Sequence, residues 1–204
     1  MTDTFITPPV NKLSDKQRKR IQTRHKVSVE RYGYQPKALY CSSREIQEIR
    51  FKALTDILPK AMKLRKEIWS LLDVGCGFAD FSVYLERLGY FPDYCGIDVS
   101  PSMVMGAKSM HPQLEISEGE LADFTFQKGQ FDYVMLSGAL NEVVETENEG
   151  TAEQQGEYAK SVIQNMYNFC SKGVAFNLLN KQNAWVKTRP DLQSFMAEDM
   201  VTFC

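Results

Sequence analysis

A pair of glycines stands directly after a short apolar segment, and this junction restricts the possible folds of the chain more than any other feature. Residues 71–80 read LLDVGCGFAD, with Gly75 and Gly77 separated by one residue. The run at 68–74 is short and mostly apolar, which favours a central parallel strand buried on both faces. Apolar residues then recur at helical spacing from Phe81 to Leu88. A strand, a tight turn and a helix in this order predict an α/β fold in which the turn faces a ligand.

The same alternation continues along the chain. Short apolar runs predict four more strands, at 94–99, 114–117, 131–137 and 174–179. Helical patterns lie between them: Ser100-Pro101 starts a helix that ends near Met110, and a later helix is closed by Gly173. Strands that alternate with helices predict a doubly wound, mostly parallel sheet with helices on both faces.

The chain divides into an N-terminal arm with a basic helical extension, 1–41, and a main domain, 42–204. Residues 12–26 hold seven Lys or Arg against one acid, Asp15. This segment is either a basic patch for RNA or an acidic substrate, or the solvated face of a surface helix, and the second interpretation is favoured. Ser42 and Glu45 have the spacing of a capping box, which predicts a helix of about 14 residues before the glycine turn.

Composition argues against several classes of protein. The 204 residues are 43% hydrophobic and 25% charged, and their formal net charge of −2 gives no field that points to nucleic acid or a membrane surface. Five scattered cysteines and two histidines predict free thiols in a reducing compartment and no metal site. With no long apolar segment and no signal pattern, we expect a soluble, cytoplasmic protein.

The glycine turn departs from a dinucleotide-binding fingerprint at one residue. Pyrophosphate rests on a helix N-terminus, whereas the frame that begins at Gly75 ends on the acid Asp80. That carboxylate would repel phosphates, which argues against NAD. A ligand with an ammonium and a sulfonium group would instead be attracted by Asp73 and Asp80. S-adenosylmethionine is such a ligand.

On these residues the sequence resembles the class I S-adenosylmethionine-dependent methyltransferases. LLDVGCGFAD matches the first motif of that family, with Ala79 in place of the common third glycine. GIDVSPSMV is similar to the second motif, Gly119-Glu120-Leu121 to the segment after the third strand, and FDYVMLSGALNEV to the fourth-strand motif. The four motifs occur in the family's order over about residues 70–180. The resemblance implies a Rossmann-like methyltransferase fold, S-adenosylmethionine as cofactor and direct methyl transfer.

The resemblance also implies roles for individual residues. Gly75 and Gly77 let the methionine part approach the backbone, Asp73 orients its ammonium group, and Asp98 binds the ribose. Either Glu120 or Asp123 meets the adenine amino group, and the sequence leaves this choice open. The cofactor residues implied in this way are Asp73, Gly75, Cys76, Gly77, Asp80, Asp98, Val99, Met103, Glu120, Leu121 and Ser137.

The sequence constrains the identity of the methyl acceptor less than that of the cofactor. Methyl transfer requires a positioned nucleophile and a dry site, but no obligatory acid or base. The candidate catalytic residues are Ser137 and Asn141 after the fourth strand and Tyr32 and Tyr40 near the opening. The tetrapeptide typical of base-amine methylation and the Pro-Cys pair used on pyrimidines are both missing, so a small molecule is the preferred substrate. RNA or protein methylation through the basic segment and a non-catalytic cofactor-binding module are the alternatives.

The C-terminal residues indicate how many strands the sheet contains. The family's sheet usually ends in a two-strand hairpin, but beyond the fifth strand only Met200 to Cys204 has strand-like character, and residues 192–196 suit a short helix. We therefore expect a sheet that lacks most or all of the hairpin, as in a truncated form or a trimmed natural variant. An uncovered fifth strand would offer its edge to another chain, which predicts either a homodimer or limited solubility.

Overall fold

A five-stranded parallel sheet forms the centre of the computed structural model, which describes residues 12–64, 68–142, 156–189 and 191–204. The strands are β1 Ser70–Val74, β2 Asp93–Asp98, β3 Glu115–Glu118, β4 Phe131–Ser137 and β5 Cys170–Asn177. Their order across the sheet is β3-β2-β1-β4-β5, and every neighbouring pair is parallel. The expected doubly wound fold is therefore confirmed, and no hairpin extends the sheet within the described residues.

Helices surround this sheet. They are α1 Asp15–Tyr32, α2 Arg44–Thr55, α3 Asp80–Arg87, α4 Pro101–Met110, α5 Glu157–Phe169, α6 Ala184–Lys187 and α7 Ala197–Phe203. Three short 3-10 helices lie at Pro36–Leu39, Lys60–Leu64 and Leu121–Asp123. None of the helices in the described ranges is long and apolar enough to cross a membrane.

Both faces of the sheet are covered by apolar layers, as the apolar character of its strands predicts. On β1 the side chains alternate: Leu71 belongs to the core formed with α2 and α3, and Leu72 to the core formed with α5. Both leucines are fully buried. Because parallel strands end at the same edge, the turns after β1, β2 and β4 converge beside the reversal of strand order between β1 and β4, where open α/β sheets bind ligands.

The structure corrects the expected ends of two helices and the capping of a third. Ser43, not Ser42, caps α2, because its hydroxyl accepts a hydrogen bond from the backbone N–H of Ile46, and the helix has 12 residues. Gly173 does not close α5, which passes directly into β5 at Cys170. The α4 boundaries are as predicted, but the Ser100 hydroxyl does not cap this helix.

The chain after β5 also differs from expectation. Residues 192–196 are not helical: Leu192 and Phe195 instead form isolated bridges with Glu142 and Asn180. The apparent strand character of 200–204 was misleading, since these residues fall in and just after α7. Met200 packs its side chain into the core that α5 forms with the sheet. The apolar residues that the sequence assigned to a strand thus belong to a helix with one buried face.

Gly75 is a position where the fold depends on a missing side chain. Its φ is +71°, and a Cβ added there would lie 2.2 Å from the Cβ of Ala139. We expect Gly75→Ala to lower the free energy of unfolding by about 2–5 kcal/mol in urea titrations, since left-handed strain and overpacking add. Gly129→Ala is the matched control, with φ +69° but no atom nearer than 3.7 Å, and should lose only about 1–2 kcal/mol. Equal losses would contradict the role given to Ala139.

Candidate active site

A cavity of about 390 Å³ lies at the carboxyl ends of β1, β2 and β4. All eleven residues implied for cofactor binding, from Asp73 to Ser137, line it. Of the catalytic candidates, Tyr40 and Asn141 also line the cavity, as Ser137 does, whereas Tyr32 lines a neighbouring groove. The fold thus brings residues from three strand ends and from the N-terminal extension to one place.

Asp73 is the most deeply buried acid of the cavity, at 2% exposure. The hydroxyl of Tyr94 donates a hydrogen bond of 2.6 Å to its Oδ2. Burial raises the pKa of Asp73 to about 7, the hydrogen bond from Tyr94 opposes this rise, and the charge of Asp98 adds to it. A buried carboxylate with a raised pKa gains most from a cationic partner such as an ammonium group.

Asp98 links the ends of β1 and β2. Its Oδ2 accepts a hydrogen bond of 2.9 Å from the backbone N–H of Gly77, and its Oδ1 accepts one of 2.9 Å from Ser100. Burial raises the pKa of Asp98, while the imidazole of His25 and these two N–H groups act to lower it. Each carboxylate oxygen has a second lone pair, so Asp98 can hold the turn and still accept hydrogen bonds from a ligand's hydroxyl groups.

The two acids that the sequence left open occupy different positions. Glu120 lines the cavity, and its carboxylate accepts hydrogen bonds from the Leu13 backbone at 3.1 Å, Arg18 at 2.6 Å and the Tyr158 hydroxyl at 2.9 Å. Asp123 is outside the cavity lining and accepts a hydrogen bond from the backbone of Glu120. The geometry therefore favours Glu120 as the acid next to a bound ligand.

Asp80 lines the cavity, but its carboxylate is engaged by the helix that covers it. Gln47 donates to Oδ2 at 2.9 Å, and Arg44 pairs with Oδ1 at 2.9 Å. These contacts join the first turns of α2 to the start of α3. The helix predicted after Ser42 therefore folds over the glycine turn, and the attraction of Asp80 for a cationic ligand is partly offset by Arg44.

Sequence analysis missed the residues that α1 and α2 bring to the cavity. His25, Arg24 and Arg50 all line it. His25 was considered only as a metal ligand, yet its Nδ1 is buried with no hydrogen-bond partner among the described residues. No sequence signal locates these side chains, because their position depends on how α1 packs. Among the described residues, no group of three or more His, Cys, Asp or Glu could hold a metal ion.

The hydrogen-bond acceptors of the cavity fit a ligand that carries an ammonium group and a nucleoside. Asp73 and Asp98 place two buried carboxylates at the strand ends, where amino and hydroxyl groups of a ligand can satisfy their remaining lone pairs, and Glu120 lines the same cavity. Together with the reversal of strand order at β1, this arrangement defines an α/β domain that binds a nucleoside cofactor.

Comparison with known proteins gives the family. Residues 71–160 match a family model described as a methyltransferase domain. A Mycobacterium tuberculosis protein assigned to the methyltransferases is 32% identical over 128 residues, which cover 61% of this chain and 71% of that protein. An uncharacterized methyltransferase of Synechocystis is 30% identical over 128 residues, which cover 62% of this chain and 54% of that protein. The chain belongs to the class I S-adenosylmethionine-dependent methyltransferases, and S-adenosylmethionine is its cofactor.

Solved structures agree on the fold. Magnesium protoporphyrin IX methyltransferase from Synechocystis with bound S-adenosylhomocysteine superposes with a TM-score of 0.57 at 13% identity, covering 95% of this chain and 76% of that one. The same enzyme with bound S-adenosylmethionine gives a TM-score of 0.54 at 16% identity, covering 77% and 65%. At such low identity the likeness concerns the fold alone.

The raised pKa of Asp73 predicts a pH dependence of cofactor binding. Only the ionised carboxylate pairs with an ammonium group, so affinity should be full above the pKa and lost as the pH falls through it. With a pKa of about 7, calorimetry with S-adenosylhomocysteine should show roughly tenfold weaker binding at pH 6 than at pH 8.

A pair of variants tests the assignment of this pH dependence to Asp73. Tyr94→Phe removes the hydrogen bond that favours the ionised carboxylate, so the midpoint should move to higher pH. Tyr133→Phe is a control, because it removes a hydroxyl from another buried tyrosine of the same core. A profile that is flat in the wild type, or equally shifted in both variants, would refute the assignment.

Proposed function

We propose that this methyltransferase acts on a small-molecule acceptor. The observation that supports the proposal is the cover over the carboxyl edge of the sheet, formed by α1, α2 and four residues near the C-terminus, Trp185, Arg189, Leu192 and Gln193. Side-chain contacts fasten α1 to the body: Arg18 pairs with Glu120, Arg24 pairs with Glu142 at 2.9 Å, and Gln22 donates to the Val99 carbonyl at 2.9 Å. A folded protein or an RNA duplex would have to displace these contacts, whereas a small molecule can enter beside them.

The cover over the strand ends also suits the chemistry of methyl transfer. S-adenosylmethionine supplies an activated methyl group, so the protein's task is to hold the acceptor in line and to exclude water. Ser137 and Asn141, at the end of β4, are the polar residues best placed to orient an acceptor. The Oδ1 of Asn141 is buried without a hydrogen-bond partner among the described residues. A bound acceptor that donates a hydrogen bond there would remove the cost of this unsatisfied atom.

The proposal is tested by S-adenosylhomocysteine formation with three sets of acceptors: a panel of metabolites, total RNA and a protein extract. Turnover that depends on a metabolite fraction is the expected result. Product formed only with RNA or only with protein would reject the small-molecule assignment. Binding of the cofactor without turnover on any set would favour the non-catalytic module.

Asp98 should be required for the cofactor affinity that this function needs. We expect Asp98→Asn to weaken S-adenosylhomocysteine binding by about 1–3 kcal/mol, or about 5- to 150-fold, because buried hydrogen-bonding groups lose their partner. Asp93→Asn, at the exposed start of β2, is the matched control and should leave the affinity unchanged. Thermal melting of each ligand-free variant separates a loss of binding from a loss of folding. Unchanged affinity in a folded Asp98→Asn protein would contradict the proposed ribose contact.

A further inference from the structure

A second depression, here called the basic groove, lies beside the cavity and has a volume of about 1130 Å³. Nine of its fifteen lining residues come from α1. Seven of its fifteen lining residues are cationic: Lys16, Lys19, Arg20, Arg24, Arg31, Lys37 and Arg50. No lining residue among those described is Asp or Glu. In a chain with a formal net charge of −2, this concentration of positive charge is local.

One face of α1 supplies four of the seven groove cations. Lys16, Arg20, Arg24 and Arg31 are spaced by multiples of about one helical turn, so they project to the same side. The interior side of the helix carries the buried Ile21. The packing of α1 therefore turns its cations toward the groove.

Aromatic side chains orient two of these cations. The guanidinium group of Arg24 lies 4.3 Å from the centre of the Tyr40 ring, and that of Arg31 lies 5.1 Å from the centre of the Tyr32 ring. Trp185, which is 55% exposed, forms another part of the wall. Cation–π contacts limit the freedom of the arginines, so less entropy is lost when they bind an anion.

The groove leads into the methyl-transfer cavity. Arg24, Tyr40, Cys41, Arg50 and Trp185 line both spaces. At the inner end, a Cβ built on Gly138 would lie 3.3 Å from Nη1 of Arg50 and 3.3 Å from Nδ2 of Asn141. A cation and an amide donor therefore stand next to the end of β4, where the proposed function places the acceptor.

We infer that the acceptor is an anionic small molecule, whose carboxylate or phosphate groups lie in the basic groove while its nucleophilic atom reaches the cavity. This inference rests on the proposed function. Glu142 neutralises part of the charge through its pair with Arg24, but Lys16, Lys19, Arg31 and Lys37 still give the lining an excess of positive charge. Guanidinium groups bind carboxylate and phosphate oxygens by charge-assisted hydrogen bonds.

Charge and size favour a small anion over RNA. The sequence pI is 5.8, so the rest of the protein offers no extended positive field along which a nucleic-acid backbone would be held. The groove is comparable in volume to large metabolite pockets, and it adjoins the cavity through shared lining residues.

The test is calorimetry on the full chain saturated with S-adenosylhomocysteine, with inorganic pyrophosphate and citrate as probes. Both are expected to bind, more weakly as salt is raised. A Lys19→Gln/Arg31→Gln double variant should lose about tenfold or more in probe affinity, because two groove cations are removed. Lys26→Gln, on the same helix but outside the groove lining, is the control and should stay within about twofold.

The outcomes separate this inference from the proposed function. The affinity for S-adenosylhomocysteine should be equal in the wild type and the double variant. Equal affinity also shows that the double variant is folded. Cofactor binding with no anion binding, or an equal loss in Lys26→Gln and the double variant, would overturn the anionic acceptor alone. Failure of the wild type to bind S-adenosylhomocysteine would overturn the proposed function. A short single-stranded oligouridylate that binds more tightly than either probe, with a steep salt dependence, would overturn the small-molecule acceptor in favour of RNA.

Discussion

The hydrogen bonds that Asp98 accepts from the backbones of Gly77 and Ser100 hold together the two turns on which the cofactor site is built. A buried carboxylate is costly unless it is satisfied, and here the backbone satisfies it without using all its lone pairs. The parallel sheet makes this possible, because β1 and β2 end side by side. The same alignment brings Asp73 and Glu120 into the lining of the same cavity, so the acids at the ends of β1, β2 and β3 form one floor.

Charge divides the site into two regions. The floor at the strand ends is acidic, which suits a cofactor with an ammonium and a sulfonium group. The basic groove approaches from the side of α1 and suits the proposed anionic acceptor. Attraction of opposite charges would then direct the two reactants to different parts of one continuous space. The ion pairs of Arg18 with Glu120 and of Arg44 with Asp80 fasten α1 and α2 to the strand ends.

The N-terminal extension is therefore part of the site. Its first described residues already reach the cavity, where the backbone N–H of Leu13 donates to Glu120. Its helix supplies His25 to the cavity and a row of cations to the groove. The glycine turn, by comparison, depends on close packing against the chain after β4, since Ala139 occupies the space that a side chain on Gly75 would need.

The sequence by itself determined the parallel α/β fold, the cofactor and a set of strand-end residues, from Asp73 to Ser137, that line the cavity. Strand periodicity, glycine turns and strand-end acids are local signals, which is why β4 was located at its observed bounds, Phe131–Ser137. Tertiary structure alone decided that Glu120 faces the cavity, that Asp80 pairs with Arg44, and that the basic face of α1 is turned toward the site. Those outcomes join residues far apart in the chain, with 102 positions between Arg18 and Glu120 and 33 between Gln47 and Asp80. Local patterns carry no information about such distances, because the contacts exist only once the helices have packed on the sheet.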